Sequence, residues 1–167
     1  DTLICDSGFN LIWGGQYFVV ERKGRYYVGP RGMGTMGFAF RAAIGAKLAC
    51  PERRFVALAG DGGFMMLLHE LETSIRMKTP VVVCVLNNGN LEYCRQAQIG
   101  LMGGRLLSTD FTDTNFAEIA KAFGARGVRV TRSAELCGVI REALKAPVTT
   151  VVEIVTPQSA KPDGVAF

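Results

Sequence analysis

Paired cysteines, basic runs and long apolar stretches are all missing from this chain of 167 residues. The five cysteines form no Cys-x-x-Cys pair, and Cys5 and Cys84 lie within apolar runs. We therefore expect buried thiols, and neither disulfides nor an iron–sulfur cluster. No run of Lys or Arg exceeds two residues and the net charge is only +4, which argues against nucleic acid as a partner.

No apolar stretch approaches the roughly 20 residues that span a bilayer. The chain begins with Thr2-Leu3-Ile4-Cys5, which resembles a strand and not a targeting segment. We therefore expect a cytoplasmic protein with no membrane association. The apolar content of 49% and the 20 glycines are typical of a compact α/β domain.

Two apolar runs each end in a polar turn. Residues 55–59 lead into Gly60-Asp61-Gly62-Gly63, and residues 81–86 lead into Asn87-Asn88-Gly89-Asn90. The apolar spacing between the turns predicts one helix over residues 64–78. Strand, helix and strand form a βαβ unit, so both turns lie at the carboxyl edge of a parallel sheet. Backbone amides there bind phosphate, and a carboxylate with amide oxygens binds a hard cation. The two turns predict a metal-diphosphate site.

The rest of the chain alternates strand-like and helix-like segments, which predicts a doubly wound, mostly parallel sheet of about six strands flanked by helices. We expect residues 21–27 to be a surface connection, residues 91–98 a short helix and residues 99–113 an irregular loop beside the site. The predicted domain covers residues 1–156, and residues 157–167 form a C-terminal tail.

The spacing of 27 positions between Asp61 and Asn88 resembles the signature of the thiamine diphosphate enzymes, Gly-Asp-Gly followed by Asn-Asn. Further stretches, among them residues 34–38, 42–46 and 109–111, make residues 1–153 similar to the C-terminal, diphosphate-binding domain of acetolactate synthase. The resemblance implies the thiamine diphosphate-binding fold, with thiamine diphosphate and Mg²⁺ as cofactors. It implies Mg²⁺ coordination by Asp61, Asn88 and the carbonyl of Asn90. The implied cofactor-binding set is Gly34, Thr35, Met36, Gly60, Asp61, Gly62, Gly63, Asn88 and Asn90.

In this family a glutamate on a separate pyrimidine-binding domain activates the cofactor. No segment of the chain resembles that domain, so we assign no catalytic residue to it. We expect half of an active site, either a small subunit of a split enzyme or part of a longer chain. Its partner would be a pyrimidine-binding domain or subunit in a hetero-oligomer, dimer or tetramer, and the isolated chain would be inactive.

The resemblance further implies a small 2-oxo acid substrate and decarboxylation followed by carboligation. Leu91, Tyr93 and Arg95 follow the metal turn and are the candidate substrate contacts. Relatives carry an aromatic residue where this chain has Ala97, which leaves the choice of acceptor open. A simple 2-oxo acid decarboxylase is the alternative, and a product assay separates acyloin from free aldehyde.

Two other features allow a different interpretation. Residues 32–37 match the dinucleotide pattern Gly-x-Gly-x-x-Gly, but the preceding residues 26–30 are short and end in proline, unlike the buried strand that this pattern follows. A non-catalytic dinucleotide-binding module is therefore the less favoured alternative. The single histidine, His69, lies beside Leu68 in the predicted helix, and we expect a structural or interface role for it.

Overall fold

The computed structural model describes residues 1–24 and 26–165. Its centre is a sheet of six parallel strands in the order β2-β1-β3-β4-β6-β5. The strands are β1 (Thr2–Cys5), β2 (Tyr27–Val28), β3 (Phe55–Gly60), β4 (Val82–Asn87), β5 (Arg126–Val130) and β6 (Thr150–Val155).

Helices connect the strands in the alternation that the sequence predicts. They are α1 (Phe9–Tyr17), α2 (Ala39–Ala49), α3 (Asp61–Met65), α4 (Glu70–Arg76), α5 (Glu92–Leu101), α6 (Phe116–Ala122) and α7 (Ser133–Ala143). Within the described ranges, none of these helices combines the length and the apolar composition that a membrane span requires.

The sheet is covered on both faces, so its central strands bury both sets of side chains. Ala57 of β3 and Val83 of β4 belong to a large core that includes Phe40, Phe64 and Phe116. Val82 and Cys84 of β4 belong to a second, smaller core with residues of α7. Because neighbouring residues of a strand point to opposite faces, two cores require two layers of helices, and the predicted doubly wound sheet is confirmed.

The predicted single helix over residues 64–78 is wrong. The chain enters α3 directly at Asp61, then winds more tightly through residues 66–69 before α4 begins. There the amide of Leu67 donates to the carbonyl of Phe64 and the amide of Glu70 donates to that of Leu67, both i to i−3 bonds of the 3₁₀ type. The tighter winding keeps Phe64, Leu67 and Leu71 buried together.

The predicted surface connection over residues 21–27 is wrong at its end, where Tyr27 and Val28 form the edge strand β2 beside Leu3 and Ile4. Two residues are too few to show a period of two, so the sequence pattern carries no signal for this strand. The later boundary also differs: α5 continues to Leu101, three residues beyond the predicted end at residue 98.

The winding of the sheet reverses between β1 and β3. The chain leaves β1 for β2 at one edge, and then crosses back to β3 and β4 on the other side. In open α/β sheets, ligands bind outside the carboxyl ends of the strands at such a reversal. The turns after β3 and β4 lie at this place.

Candidate functional site

A cavity of about 280 Å³ lies at the carboxyl ends of β1, β3 and β4. Most of the residues that the sequence predicts for the site line this cavity. The predicted residues on its wall are Gly34, Met36, Gly60, Asp61, Gly62, Gly63, Asn88, Asn90, Leu91 and Tyr93. The fold therefore brings together three segments that are separated by more than 20 residues in sequence.

Asp61 joins the turn after β3 to the turn after β4. Its side chain is 3% exposed. One carboxylate oxygen, Oδ1, accepts from the amide of Gly62 at 2.7 Å. The other, Oδ2, accepts from the amides of Gly89 at 2.8 Å and Asn88 at 3.2 Å. Asp61 thus holds the Asn88-Gly89 backbone against the end of β3.

Three oxygen atoms converge beside Asp61. The side-chain oxygen of Asn88 lies 3.0 Å from the carbonyl oxygen of Asn90 and 3.2 Å from Oδ2 of Asp61. All three atoms are hydrogen-bond acceptors, and no proton lies between them in this orientation of the Asn88 amide. Turning the amide by 180° would let its nitrogen donate to both neighbours. A bound cation would satisfy the same three oxygens without that rotation, and carboxylate, amide and carbonyl oxygens are ligands that Mg²⁺ and Ca²⁺ use.

The charges around the cavity also suit a cation. Burial raises the pKa of the Asp61 carboxyl above its ordinary value, against the lowering effect of the amides that donate to it. Glu92 is a second acidic residue on the wall, and no Lys, Arg or His lines the cavity among the described residues. No cluster of three or more His, Cys, Asp or Glu occurs in those residues either. A cation here would therefore depend on amide and carbonyl oxygens beside Asp61.

Asp6 is a residue of the site region that the sequence analysis missed. It follows β1 as Asp61 follows β3, and it is 1% exposed. Its Oδ2 accepts from the amide of Gly37 at 3.0 Å, and its Oδ1 accepts from the amides of Phe38 at 3.3 Å and Ser7 at 2.7 Å. Burial raises the pKa of the Asp6 carboxyl, and the amides that donate to it lower it. Asp6 therefore ties the glycine-rich loop before α2 to the end of β1.

Two glycines are required by this arrangement. Gly37 has φ of +74°, and a Cβ there would lie 3.1 Å from Cγ of Leu67, so the left-handed backbone favours glycine. A Cβ at Gly63 would lie 2.9 Å from Oδ2 of Asp6. Gly63 belongs to the cofactor-binding set that the resemblance implies, and the structure adds a reason for glycine there within the protein, the buried Asp6 carboxylate.

Three of the residues singled out in the sequence do not line the cavity. Thr35 is exposed and lies outside the lining set. Arg95 donates from Nη1 to Oδ1 of Asp110 at 2.6 Å, which joins α5 to the loop that follows it. His69 is exposed, with Nε2 3.8 Å from Oε1 of Glu70.

The end of the loop after α5 supports the turn that carries Asn90. The amide of Leu91 donates to the carbonyl of Thr109 at 2.8 Å, and the amide of Phe111 donates to the carbonyl of Gly89 at 2.8 Å. A Cβ at Gly62 would lie 2.6 Å from Cδ2 of Leu91 and 3.3 Å from the ring of Phe111. The predicted irregular loop is thus fixed at its far end, directly behind the three oxygens.

Aromatic side chains form a second wall. The ring of Phe9 packs edge-on against Tyr93 at 5.4 Å and against Trp13 at 6.0 Å between centroids. All three residues line the cavity, together with Thr156 and Ala160 from the C-terminal segment. The carbonyl of Gln158 in the same segment accepts from Nδ2 of Asn90 at 3.4 Å. The division between a domain at 1–156 and a tail at 157–167 stays a prediction.

The fold and the site define a class of protein. It is an α/β domain with an all-parallel sheet, in which oxygen atoms converge where the winding of the sheet reverses. The sequence matches the model of the family "Thiamine pyrophosphate enzyme, C-terminal TPP binding domain" over residues 6–154. The chain belongs to this family, and the resemblance stated from the motifs is confirmed.

Known relatives agree with this assignment. The chain is 34% identical to the "Probable acetolactate synthase large subunit" of Methanococcus aeolicus, over 96% of this chain and 27% of that protein. It is 33% identical to the "Acetolactate synthase" of Bacillus subtilis (strain 168), over 92% of this chain and 26% of that protein. Among solved structures it is similar to the thiamine diphosphate-dependent 4-hydroxybenzoylformate decarboxylase of Rhodococcus jostii RHA1. That match has a TM-score of 0.85 at 28% identity, and covers 93% of this chain and 29% of that chain.

The chain spans about a quarter of the length of these relatives. It corresponds to their cofactor-binding C-terminal domain.

Proposed function

We propose that this chain is the diphosphate- and Mg²⁺-binding half of a thiamine diphosphate enzyme that acts on a 2-oxo acid. The proposed reaction is decarboxylation with carboligation, as the names of the acetolactate synthase relatives suggest. The observation that carries the proposal is that the Asn88 amide lies about 3 Å from both Oδ2 of Asp61 and the carbonyl oxygen of Asn90 beside the cavity, so that with its oxygen turned inward the three residues present three acceptors to one cation.

The charge of the cavity supports a joint site for metal and diphosphate. A diphosphate is anionic, and the wall carries two acidic residues and, within the described part of the chain, no basic one, so it would repel a diphosphate. A divalent cation on Asp61, Asn88 and the Asn90 carbonyl would reverse the local charge and bridge the cofactor to the protein. Binding of thiamine diphosphate should therefore depend strictly on Mg²⁺.

The chain's own residues would bind and orient the cofactor. Asp61 holds the two turns together, and Asp6 holds the loop that carries Gly34 and Met36. Bound thiamine diphosphate would supply a carbon that adds to the 2-oxo carbonyl and holds the electron pair released when the adjacent carbon–carbon bond breaks. The aromatic wall of Phe9, Trp13 and Tyr93 would limit water at the reacting carbonyl.

A second chain or domain would complete the site. The relatives are about four times as long as this chain, and the activating glutamate of the family lies on a pyrimidine-binding domain that this sequence does not resemble. We propose that a domain of this kind, on the same protein or on a partner subunit, supplies that carboxylate. The isolated chain would then bind cofactor weakly and turn over no 2-oxo acid.

The test is Mg²⁺-dependent binding of thiamine diphosphate by isothermal titration calorimetry, on the full protein that contains this domain. Asn88→Leu roughly keeps the size of the side chain and removes its amide oxygen and nitrogen, while Asp61→Asn removes the charge. Changes outside the first coordination shell of a metal typically cost 10- to 100-fold in affinity, so we expect losses of at least about 100-fold for both. Asp113→Asn is the control, because Asp113 is an exposed aspartate that pairs with Arg129 and is not among the residues that line the cavity. Unchanged Mg²⁺ dependence in both site variants would reject the proposal.

A simple decarboxylase is the second candidate, and the solved decarboxylase with a TM-score of 0.85 favours it. The two reactions differ in what the carbon left after loss of CO₂ receives, a proton or a second carbonyl compound. Incubation with pyruvate and analysis of products separates them. Acyloin supports carboligation, whereas acetaldehyde alone supports decarboxylation.

A further inference from the structure

Glu92 carries an oxygen for which the described residues provide no hydrogen-bond donor. The residue is 6% exposed at the first turn of α5 and lines the cavity. Its Oε1 accepts from Nε2 of Gln96 at 2.6 Å. Its Oε2 is buried and has no partner among residues 1–24 and 26–165. A buried acceptor without a donor is costly, so a donor from outside these residues should satisfy it.

We propose that Glu92 determines substrate specificity: Oε2 is closed to solvent in the free chain, and a turn of the carboxylate toward the cavity that the residue lines would let Oε2 accept a hydrogen bond from a hydroxyl or ammonium group on the side chain of the substrate. The inference rests on the proposed function, in that the ligand is taken to be a 2-oxo acid. It narrows that class to 2-oxo acids whose side chain carries a donor.

Charge sets the orientation of such a substrate. The 2-oxo acid carries a carboxylate, and like charges repel strongly away from bulk water. The substrate's own carboxylate should therefore lie away from Glu92, and its side chain should point toward it. The wall beside Glu92 includes Leu91 and Tyr93, so a small side chain with one polar end matches the surroundings.

The contact with Gln96 makes Glu92→Gln an informative variant. The new amide keeps its hydrogen bond by presenting its oxygen to Nε2 of Gln96. Its NH₂ group then occupies the place of Oε2, so an acceptor becomes a donor without a change of size. A donor-bearing substrate should lose affinity, while a substrate without a donor should be little affected.

The experiment compares matched pairs of 2-oxo acids on the full protein, with its partner chain if one co-purifies. Hydroxypyruvate and 2-oxobutanoate differ by OH against CH₃ at equal size, and 4-hydroxybenzoylformate and benzoylformate form a longer pair. We expect the wild type to prefer the hydroxyl member of one pair by about 10- to 100-fold in kcat/KM, the range for a hydrogen bond to a charged group. Glu92→Gln should abolish that preference.

Glu118→Gln is the matched control. Glu118 is also an acidic residue in the first turn of its helix, α6, but it is exposed and paired with Lys121. The control should retain the preference, which separates the effect of the cavity from the loss of a helix-terminal charge.

Three outcomes would overturn the assignment. The first is a wild type that shows no preference in either pair, a result that needs no variant to fold. The second is a preference that survives Glu92→Gln, as expected if a buried water satisfies Oε2. The third is an equal loss of kcat/KM for both members of a pair in Glu92→Gln, which would indicate that Glu92 contacts the cofactor and not the substrate side chain. Calorimetric binding of the four acids is measured beside turnover, so the test holds even if thiamine diphosphate binding fails. That failure would reject the proposed function separately.

Discussion

Replacing Asp6 by asparagine would test whether the glycine-rich loop is held in place by one buried carboxylate. In the wild type, three backbone amides donate to Asp6, from Ser7, Gly37 and Phe38. Asparagine has the same shape but only one acceptor oxygen. If that oxygen still accepts from the amides of Ser7 and Phe38, the NH₂ group of the asparagine faces the amide of Gly37. Two hydrogen-bond donors then face each other with no acceptor between them.

The expected loss in the free energy of unfolding follows from these contacts. Losing a hydrogen bond to a charged group costs about 1.5 to 3 kcal/mol, and the amide of Gly37 is left without an acceptor. Removing a buried charge offsets part of this cost, because burial outweighs the donated hydrogen bonds and raises the pKa of Asp6. We expect Asp6→Asn to lower the free energy of unfolding by about 1 to 2 kcal/mol at pH 7.

The assay is urea denaturation of wild type and variant, followed by calorimetry with thiamine diphosphate and Mg²⁺. If the glycine-rich loop is released in the free variant, it must be ordered again when the cofactor binds. The affinity for thiamine diphosphate should therefore fall by up to about tenfold for each 1.4 kcal/mol of stability that the substitution removes. Asp113→Asn is the control, because its side chain is 81% exposed. An unchanged urea midpoint together with unchanged affinity would refute the role of Asp6.

Two further predictions concern titration and thiol chemistry. Because the folded-state pKa of Asp6 lies above its ordinary value of 3.8, its contribution to stability is largest below that value and falls, as pH rises through the folded-state pKa, to the roughly 1 to 2 kcal/mol expected at pH 7. The stability difference between wild type and Asp6→Asn should therefore shrink from acid to neutral pH, and a difference that grows would contradict the assignment. Burial raises the pKa of Cys5 to about 11 and of Cys84 to about 12, so iodoacetamide at pH 8 should modify exposed Cys94 and Cys137 long before either. Mass spectrometry measures this, and equal labelling would show that the core strands are open.

Local sequence patterns predict part of the site correctly. Asp61 and Asn88 were predicted to meet because each follows an apolar run of strand length, and parallel strands joined by a helix end at the same edge. Their joint position at the cavity follows from that rule. The residues between them were predicted less well, since the apolar period over residues 64–78 does not reveal that the chain tightens after α3.

Other features of the site depend on contacts between distant residues. In the sequence Asp6 is only an aspartate before Ser7 and Gly8, and its role depends on the loop 31 residues further along, where the amides of Gly37 and Phe38 donate to it. Arg95 was a candidate substrate contact by its position in the chain, but the fold pairs it with Asp110. A helix position alone does not predict which partner a long side chain will find.

The sequence by itself determined the α/β class, the parallel order of strand and helix, and the edge at which the two turns meet. These follow from hydrophobic period and short-range spacing, which are local properties of the chain. Only the tertiary structure decided that Asp6 clamps a loop, that Gly63 lies against that carboxylate and that Glu92 is buried with one oxygen lacking a donor. Each of these depends on the packing of segments far apart in sequence, where burial and missing partners, and not residue type, set the energy of a polar group.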